Sequence, residues 1–239
     1  MKLTDFKVLS FDCYGTLIDW ETGIWQALQP LRETAREPVA RETALETFGA
    51  IEAAEEHEAP GLLYRDLLTR VHAKLAERWR TTSSAAMDRA FGASVGDWPA
   101  FPDTPPALAE LKKHYKLVIL SNVDRRSFAA SNQRLGVAFD AICTAEDIGT
   151  YKPDPRNFAY LIARVRDLGH DRSEILHTAQ SLYHDHAPAE RIGLARCWIN
   201  RRADKGTGSG ATKPVAERPK LHFEFPTLGA MAEAVRRLR

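Results

Sequence analysis

Residues 7–19 read KVLSFDCYGTLID, and this stretch decides the fold. An apolar run stops at a carboxylate, Asp12, and is followed by Gly15 and Thr16. A short apolar run closed by a polar residue reads as a buried strand, and in open α/β sheets ligands bind in the crevice beyond the carboxyl ends of the strands. Gly15 allows a sharp turn whose backbone amides can orient the carboxylate and receive a departing anion. On its own, Asp-x-x-Gly-Thr is equally a turn or a helix N-cap.

Working outward, further apolar runs occur at KLVIL before Ser121, AICTA (141–145), EILHTA (174–179) and ARCWIN (195–200). They alternate with helical patterns, so an α/β fold with a parallel sheet and crossover helices is expected. The alternation fails between about Ile18 and Ala100, where LLYRDLLTRVHAKLAERW (62–79) carries apolar residues at helical spacing. Residues 19–100 therefore read as an all-helical insert of about four helices, broken at Gly61 and across 92–102; residues 1–18 and 101–239 form the sheet domain. RADKGTGSGATKPVAERPK (202–220) reads as a mobile surface loop.

The 239 residues are 44% hydrophobic and 27% charged, an ordinary globular mixture. With 33 Lys and Arg against 32 Asp and Glu, no global field favours nucleic acid or an anionic membrane, so a small-molecule partner is expected. No apolar run approaches the roughly 20 residues of a membrane span. The N-terminus lacks the pattern of an export signal, and Cys13, Cys143 and Cys197 are odd in number and widely spaced, which fits reduced thiols in a cytoplasmic protein.

Three further segments carry chemistry. Ser121 and Asn122 close the second strand with a hydroxyl and an amide able to donate to carboxylate or phosphate oxygens, or to cap the next helix. In YKPDPRNF (151–158) the prolines fix the backbone around Lys152, so its ammonium is aimed. In HTAQSLYHDH (177–186) Asp185 stands between His184 and His186, either of which is a candidate base or zinc ligand, though such spacing at a helix start is more often surface or capping chemistry. The remaining histidines, His177 among them, read as structural.

Asp12, Gly15, Thr16, Leu17 and Asp19, together with Ser121, Asn122 and Lys152 in its KPDP setting, resemble the haloacid dehalogenase superfamily. Tyr14 stands where the superfamily's phosphatases carry a second acid, and is similar to the L-2-haloacid dehalogenase branch. Aligning Ser181 and Asp185 on the phosphatases' Gly-Asp-Ser-x-x-x-Asp places Gln180 where an acid would hold magnesium. A phenol of pKa about 10 and an amide are poor replacements for anionic ligands, so no metal and no cofactor are expected.

The resemblance implies a Rossmann-like core with a helical cap. It implies Asp12 as nucleophile, Lys152 pairing with it, Thr16 supporting the turn and Asp185 directing water. Tyr14, Ser121, Asn122, Gln180 and Ser181 would lie on the substrate side, with His184 as a further candidate.

The implied reaction is metal-independent hydrolysis of a 2-haloalkanoic acid through an aspartyl ester, by a monomer or homodimer. Halide displacement needs an aimed carboxylate and a stabilised anion, whereas phosphoryl transfer needs cations. Two departures stand out: Phe158 replaces a tyrosine common in the branch, and Gly49 or Ala50 stands where the cap would carry a halide-binding Arg. Trp20, Trp25 and Tyr64 are candidates for the cap side. The alternatives are a magnesium phosphatase, a hydrolase of another 2-substituted acid, and a non-catalytic binding protein of the same fold.

Overall fold

The computed structural model describes residues 1–203 and 210–238. Six strands form one parallel sheet in the order β3-β2-β1-β4-β5-β6. They are β1 (Val8–Phe11), β2 (Lys116–Ser121), β3 (Ala141–Thr144), β4 (Ile175–Ala179), β5 (Ala195–Ile199) and β6 (Phe223–Phe225). The first five are the runs expected from sequence. β6 was missed because it is a three-residue edge strand, only half buried and too short to show a period.

β1 pairs with β2 on one side and β4 on the other, with Phe11 in register with Ile119 and with Thr178. The chain leaving these three central strands is therefore gathered at one end of the sheet, which brings Asp12, Ser121 and Gln180 together. β1 and β4 are buried along their whole length, as expected where helices cover both faces of a parallel sheet. Each fully buried Leu, Ile or Phe of these strands contributes about 1.5–3 kcal/mol of transfer free energy.

Within residues 19–100 lie five α-helices where about four were expected: α1 (Trp20–Ala27), α2 (Gln29–Glu33), α3 (Arg41–Glu58), α4 (Tyr64–Arg78) and α5 (Ala85–Ala93). The extra one is α2, a short helix with Pro30 in its first turn, where proline loses no hydrogen bond. The break at Gly61 is present. The break across 92–102 is present too, since α5 ends at Ala93; Gly92, its penultimate residue, permits close packing of α5 on α4, where a Cβ would come 2.2 Å from the carbonyl oxygen of Arg65. A further break comes just after α4, at Arg80, which is left-handed with φ +53°. The two ends of the helical segment are tied together. Ile18 bridges Ala100, the amide of Asp19 donates to Pro99 O at 2.8 Å, and that of Phe101 donates to Leu17 O at 3.1 Å.

The remaining helices, α6 (Thr104–Leu111), α7 (Arg125–Leu135), α8 (Ala145–Ile148), α9 (Pro155–Asp167), α10 (Ala187–Arg191) and α11 (Leu228–Leu238), connect or follow the strands. Of the loop expected to be mobile, residues 204–209 lie outside the described residues. The residues beside that segment are packed, with Arg202 pairing with Glu21 at 2.7 Å and with Glu42 and with Ala211 and Thr212 buried, whereas most of 213–220 is exposed, as expected of a surface loop. All three cysteines are buried and free, and no helix among the described residues is long and apolar enough to cross a membrane.

Candidate active site

Asp12 sits on the turn that leaves β1. Gly15 takes φ +88°, and the amides of Leu17 and Ile18 both donate to Cys13 O, closing the turn. Thr16 Oγ1 donates to Asp12 Oδ2 at 2.7 Å and accepts from the amide of Gln180 at 2.9 Å, so one hydroxyl ties the first turn to the end of β4. Asp12 Oδ1 accepts from Lys152 Nζ at 2.9 Å. That ammonium also donates to Asp185 Oδ1 at 2.7 Å and to Leu120 O at 3.0 Å, and so spends all three of its protons. Asn122 braces the lysine backbone: its Oδ1 accepts from Lys152 N at 2.7 Å and its Nδ2 donates to Lys152 O at 3.1 Å.

Asp185 is carried on a π-helical turn, Leu182–His186, opened by Ser181, whose Oγ accepts from the amide of His184 at 3.0 Å. Such turns are frequent at functional sites. Asp185 Oδ2 is buried without a partner, and so is the hydroxyl of Ser121. Two histidines, His177, read as structural, and His186, read as a candidate base or zinc ligand or as surface or capping chemistry, lie buried beside this turn. His177, on β4, places Nε2 3.0 Å from Asp185 Oδ1 while its Nδ1 lies 2.9 Å from Ser10 Oγ. His186 is buried with Nε2 2.9 Å from Ala179 O. His184 reaches the cavity and lies 3.3 Å from Glu56 Oε2.

Electrostatics follow from this geometry. Burial pushes the carboxyl of Asp12 up, against the pull of Lys152 and with the charge of Asp185 adding to the rise. Asp185 also feels burial, but Lys152 and the His177 hydrogen bond together hold it well below the usual carboxylate range. Burial works against the Lys152 ammonium, yet the two carboxylates raise it above an ordinary lysine. Burial pushes His186 down to about 4, so its imidazole is neutral at pH 7.

Of the residues expected at the site, Asp12, Tyr14, Ser121, Asn122, Lys152, Gln180, Ser181, His184 and Asp185 line one cavity of about 40 Å³, and Thr16 lies directly beneath Asp12. Trp20 and Tyr64 close the cavity from the helical side; Trp25 is elsewhere, stacked under the Arg32 guanidinium. The Tyr14 hydroxyl is engaged with Ser131 Oγ at 2.8 Å, leaving its ring as wall. Of the two positions where a halide-binding Arg was expected, Gly49 has no room for one, since a Cβ there would meet Ala211 O at 2.2 Å, and Ala50 is exposed and does not line this cavity.

The reading missed Glu52, Glu56 and Thr212. Tyr64 OH donates to Glu52 Oε1 at 2.5 Å, Asn122 Nδ2 donates to Glu56 Oε1 at 2.9 Å, and Thr212 Oγ1 donates to Gln180 Oε1 at 3.0 Å. The signal for the two glutamates was present, because Leu45, Phe48, Glu52 and Glu56 follow one another at spacings of three or four residues and share one buried face of α3. Among the described residues, no three His, Cys, Asp or Glu side chains are grouped to hold a metal ion.

A family model described as haloacid dehalogenase-like hydrolase matches residues 6–178. Over 105 residues the chain is 32% identical to an (S)-2-haloacid dehalogenase of Pseudomonas putida, a match spanning 43% of this chain and 44% of that relative. A second P. putida protein, (S)-2-haloacid dehalogenase H-109, is 27% identical over 213 residues, covering 84% of this chain and 89% of the relative. The L-2-haloacid dehalogenase of Xanthobacter autotrophicus, solved with chloropropionic acid covalently bound, superposes with a TM-score of 0.77 at 18% identity, over 98% of this chain and 100% of that one. The Asp12 turn, Ser121–Asn122 and Lys152 all fall within the matched span, and the chain belongs to the haloacid dehalogenase-like hydrolase family.

Proposed function

We propose that the protein hydrolyses a small 2-substituted carboxylic acid, of the 2-haloalkanoic class, by direct attack of Asp12 on C2. The carbon–halogen bond breaks as the carbon–oxygen bond forms, giving an aspartyl ester and halide. Water then opens the ester to a 2-hydroxy acid and restores the carboxylate. Lys152 keeps Asp12 ionised and aimed, Thr16 fixes its second oxygen, and the unpartnered Oδ2 of Asp185 is the acceptor that orients and deprotonates the water. Ser121 is the hydroxyl donor for the substrate carboxylate. Residues 19–100 act as the cap that closes over the acid, and residues 1–18 and 101–239 as the catalytic core.

The observation that carries this reading is the single ammonium shared between Asp12 and Asp185, with both acids buried at one cavity. It supports chemistry without a divalent cation, because the lysine already stands between the two acids and offsets part of their charge, and the neighbouring positions, Tyr14 and Gln180, are neutral. Chloride release from 2-chloro acids, in the presence of a chelator and abolished in Asp12→Asn, is the expected result. Magnesium-dependent release of phosphate from an aryl phosphate, with no chloride from any 2-chloro acid, would overturn the assignment.

A further inference from the structure

The cavity carries a charge imbalance that simple 2-haloalkanoates do not relieve. Its described lining holds four carboxyl groups, those of Asp12, Glu52, Glu56 and Asp185, and one lysine. That lysine is fully spent on Asp12, Asp185 and Leu120 O. His184 is the other ionisable nitrogen on the wall, and it faces Glu56. A 2-chloroalkanoate would bring another negative charge among these groups.

The acids are also placed unevenly. Asp12, Asp185 and Lys152 sit at the sheet end with the hydroxyl of Ser121, which is 1% exposed and has no partner. Glu52 and Glu56 project from α3, 3% and 7% exposed; Glu56 accepts from Asn122 Nδ2 at 2.9 Å and lies 3.3 Å from His184 Nε2, and Glu52 accepts from the Tyr64 hydroxyl. The cavity thus offers a free hydroxyl donor at the sheet end, suited to a carboxylate, and carboxyl acceptors on α3, suited to a cation. Those are the two ends of a zwitterion.

We propose that Glu52 and Glu56 bind an ammonium group on the substrate's side chain, so that the preferred substrates are 2-substituted acids bearing a protonated amine. This rests on the reading of Asp12 as the nucleophile at C2 and narrows it. Attack is unchanged: the carboxylate oxygen of Asp12 bonds to C2, the halide departs with the bonding pair, and water cleaves the ester. The ammonium takes no part in bond making and is held between the two glutamates. Burial, with the charge of Glu56 next, pushes Glu52 well up. Tyr64, donating to Glu52 Oε1, keeps that carboxyl turned to its place on the wall.

The test compares chloride release from 4-amino-2-chlorobutanoate and from 2-chlorobutanoate, each corrected for its rate without enzyme. The acids differ only by the ammonium. We expect kcat/KM to be at least about tenfold higher for the amino acid, the ratio one charge-assisted hydrogen bond supplies, and this preference to collapse in Glu52→Gln, where Tyr64 can still donate to the amide oxygen. Equal or faster hydrolysis of 2-chlorobutanoate by the unaltered enzyme, or a preference unchanged in Glu52→Gln, would overturn the inference while leaving the role of Asp12 intact. No chloride from either acid, with no covalent adduct on Asp12, would overturn both.

Discussion

His177 Nε2 lies 3.0 Å from Asp185 Oδ1, the same oxygen that accepts from Lys152 Nζ at 2.7 Å. Because a carboxylate oxygen can only accept, the ring presents its Nε2 proton to Asp185 while its Nδ1 meets Ser10 Oγ at 2.9 Å, and the carboxylate is left with Oδ2 for the cavity. The Phe158 ring packs edge-on against His177 with centroids 5.3 Å apart, so the hydroxyl missing at position 158 has an imidazole beside its place. We expect His177→Leu to lower kcat about 10- to 100-fold, the worth of one buried hydrogen bond to a charged group, with little change in KM. Phe158→Tyr in the same background should recover part of the loss. Steady-state kinetics of the three proteins decide this, and an effect confined to KM would contradict it.

Asp12 and Lys152 should respond oppositely to removal. Because burial opposes the charge of Asp12, Asp12→Asn removes an ion that folding must desolvate while Lys152 keeps Asp185. We expect turnover to fall by at least about 10⁴-fold with a melting temperature unchanged or a few degrees higher. Lys152→Met leaves two buried carboxylates facing each other and should cost about 3–5 kcal/mol of stability. Thermal unfolding of both variants checks the pair.

Acid stability should carry the mark of His186. Its folded pKa, about 4, lies below the ordinary value of 6.5, so between those values the unfolded chain binds more protons than the folded one. Stability is therefore fully present above pH 6.5, falls as the pH drops toward 4, and loses about 3 kcal/mol across the window. Urea unfolding at pH 7 and pH 4.5 measures the loss, and His186→Asn should remove that share of it.

Much of this architecture was written in the sequence as breaks in period. Apolar runs that stop at Asp12 and Ser121 gave the strands because a parallel sheet covered on both faces needs continuous apolar strands. Asp12 and Ser121 were legible as candidate site residues because they stand at strand ends, where local sequence and tertiary position coincide. Glu52 and Glu56 were harder to see: IEAAEEHE resembles a solvated helix face, and only their helical spacing from Leu45 and Phe48 marks them as sharing its buried side. His177 hid for a similar reason. A polar residue within a buried strand announces a partner without naming it, and Asp185 reaches it only through the π-helical turn. The flanks of the 204–209 segment looked mobile by composition, yet Arg202 and Thr212 are anchored by glutamates and Gln180 that lie far away in sequence.

Gly49 marks where α3 meets that loop. Building a Cβ there puts it 2.2 Å from Ala211 O, so Gly49→Ala must push the Ala211–Thr212 backbone outward. We expect a loss of about 1–3 kcal/mol from overpacking, together with a higher KM as Thr212 leaves Gln180. Gly61→Ala, with nothing within 4 Å of its Cβ, serves as the control and should change neither.

The central claim is that Asp12 itself becomes esterified. A single turnover of a 2-chloro acid in water enriched in heavy oxygen, followed by mass spectrometry of the peptide containing Asp12, tests it most directly. Hydrolysis of the ester at its carbonyl leaves one heavy oxygen in the Asp12 carboxylate, and the hydroxy-acid product carries light oxygen; that is the predicted result. An unlabelled Asp12 peptide with heavy oxygen on C2 of the product would mean that water attacks the substrate directly, and would contradict the account.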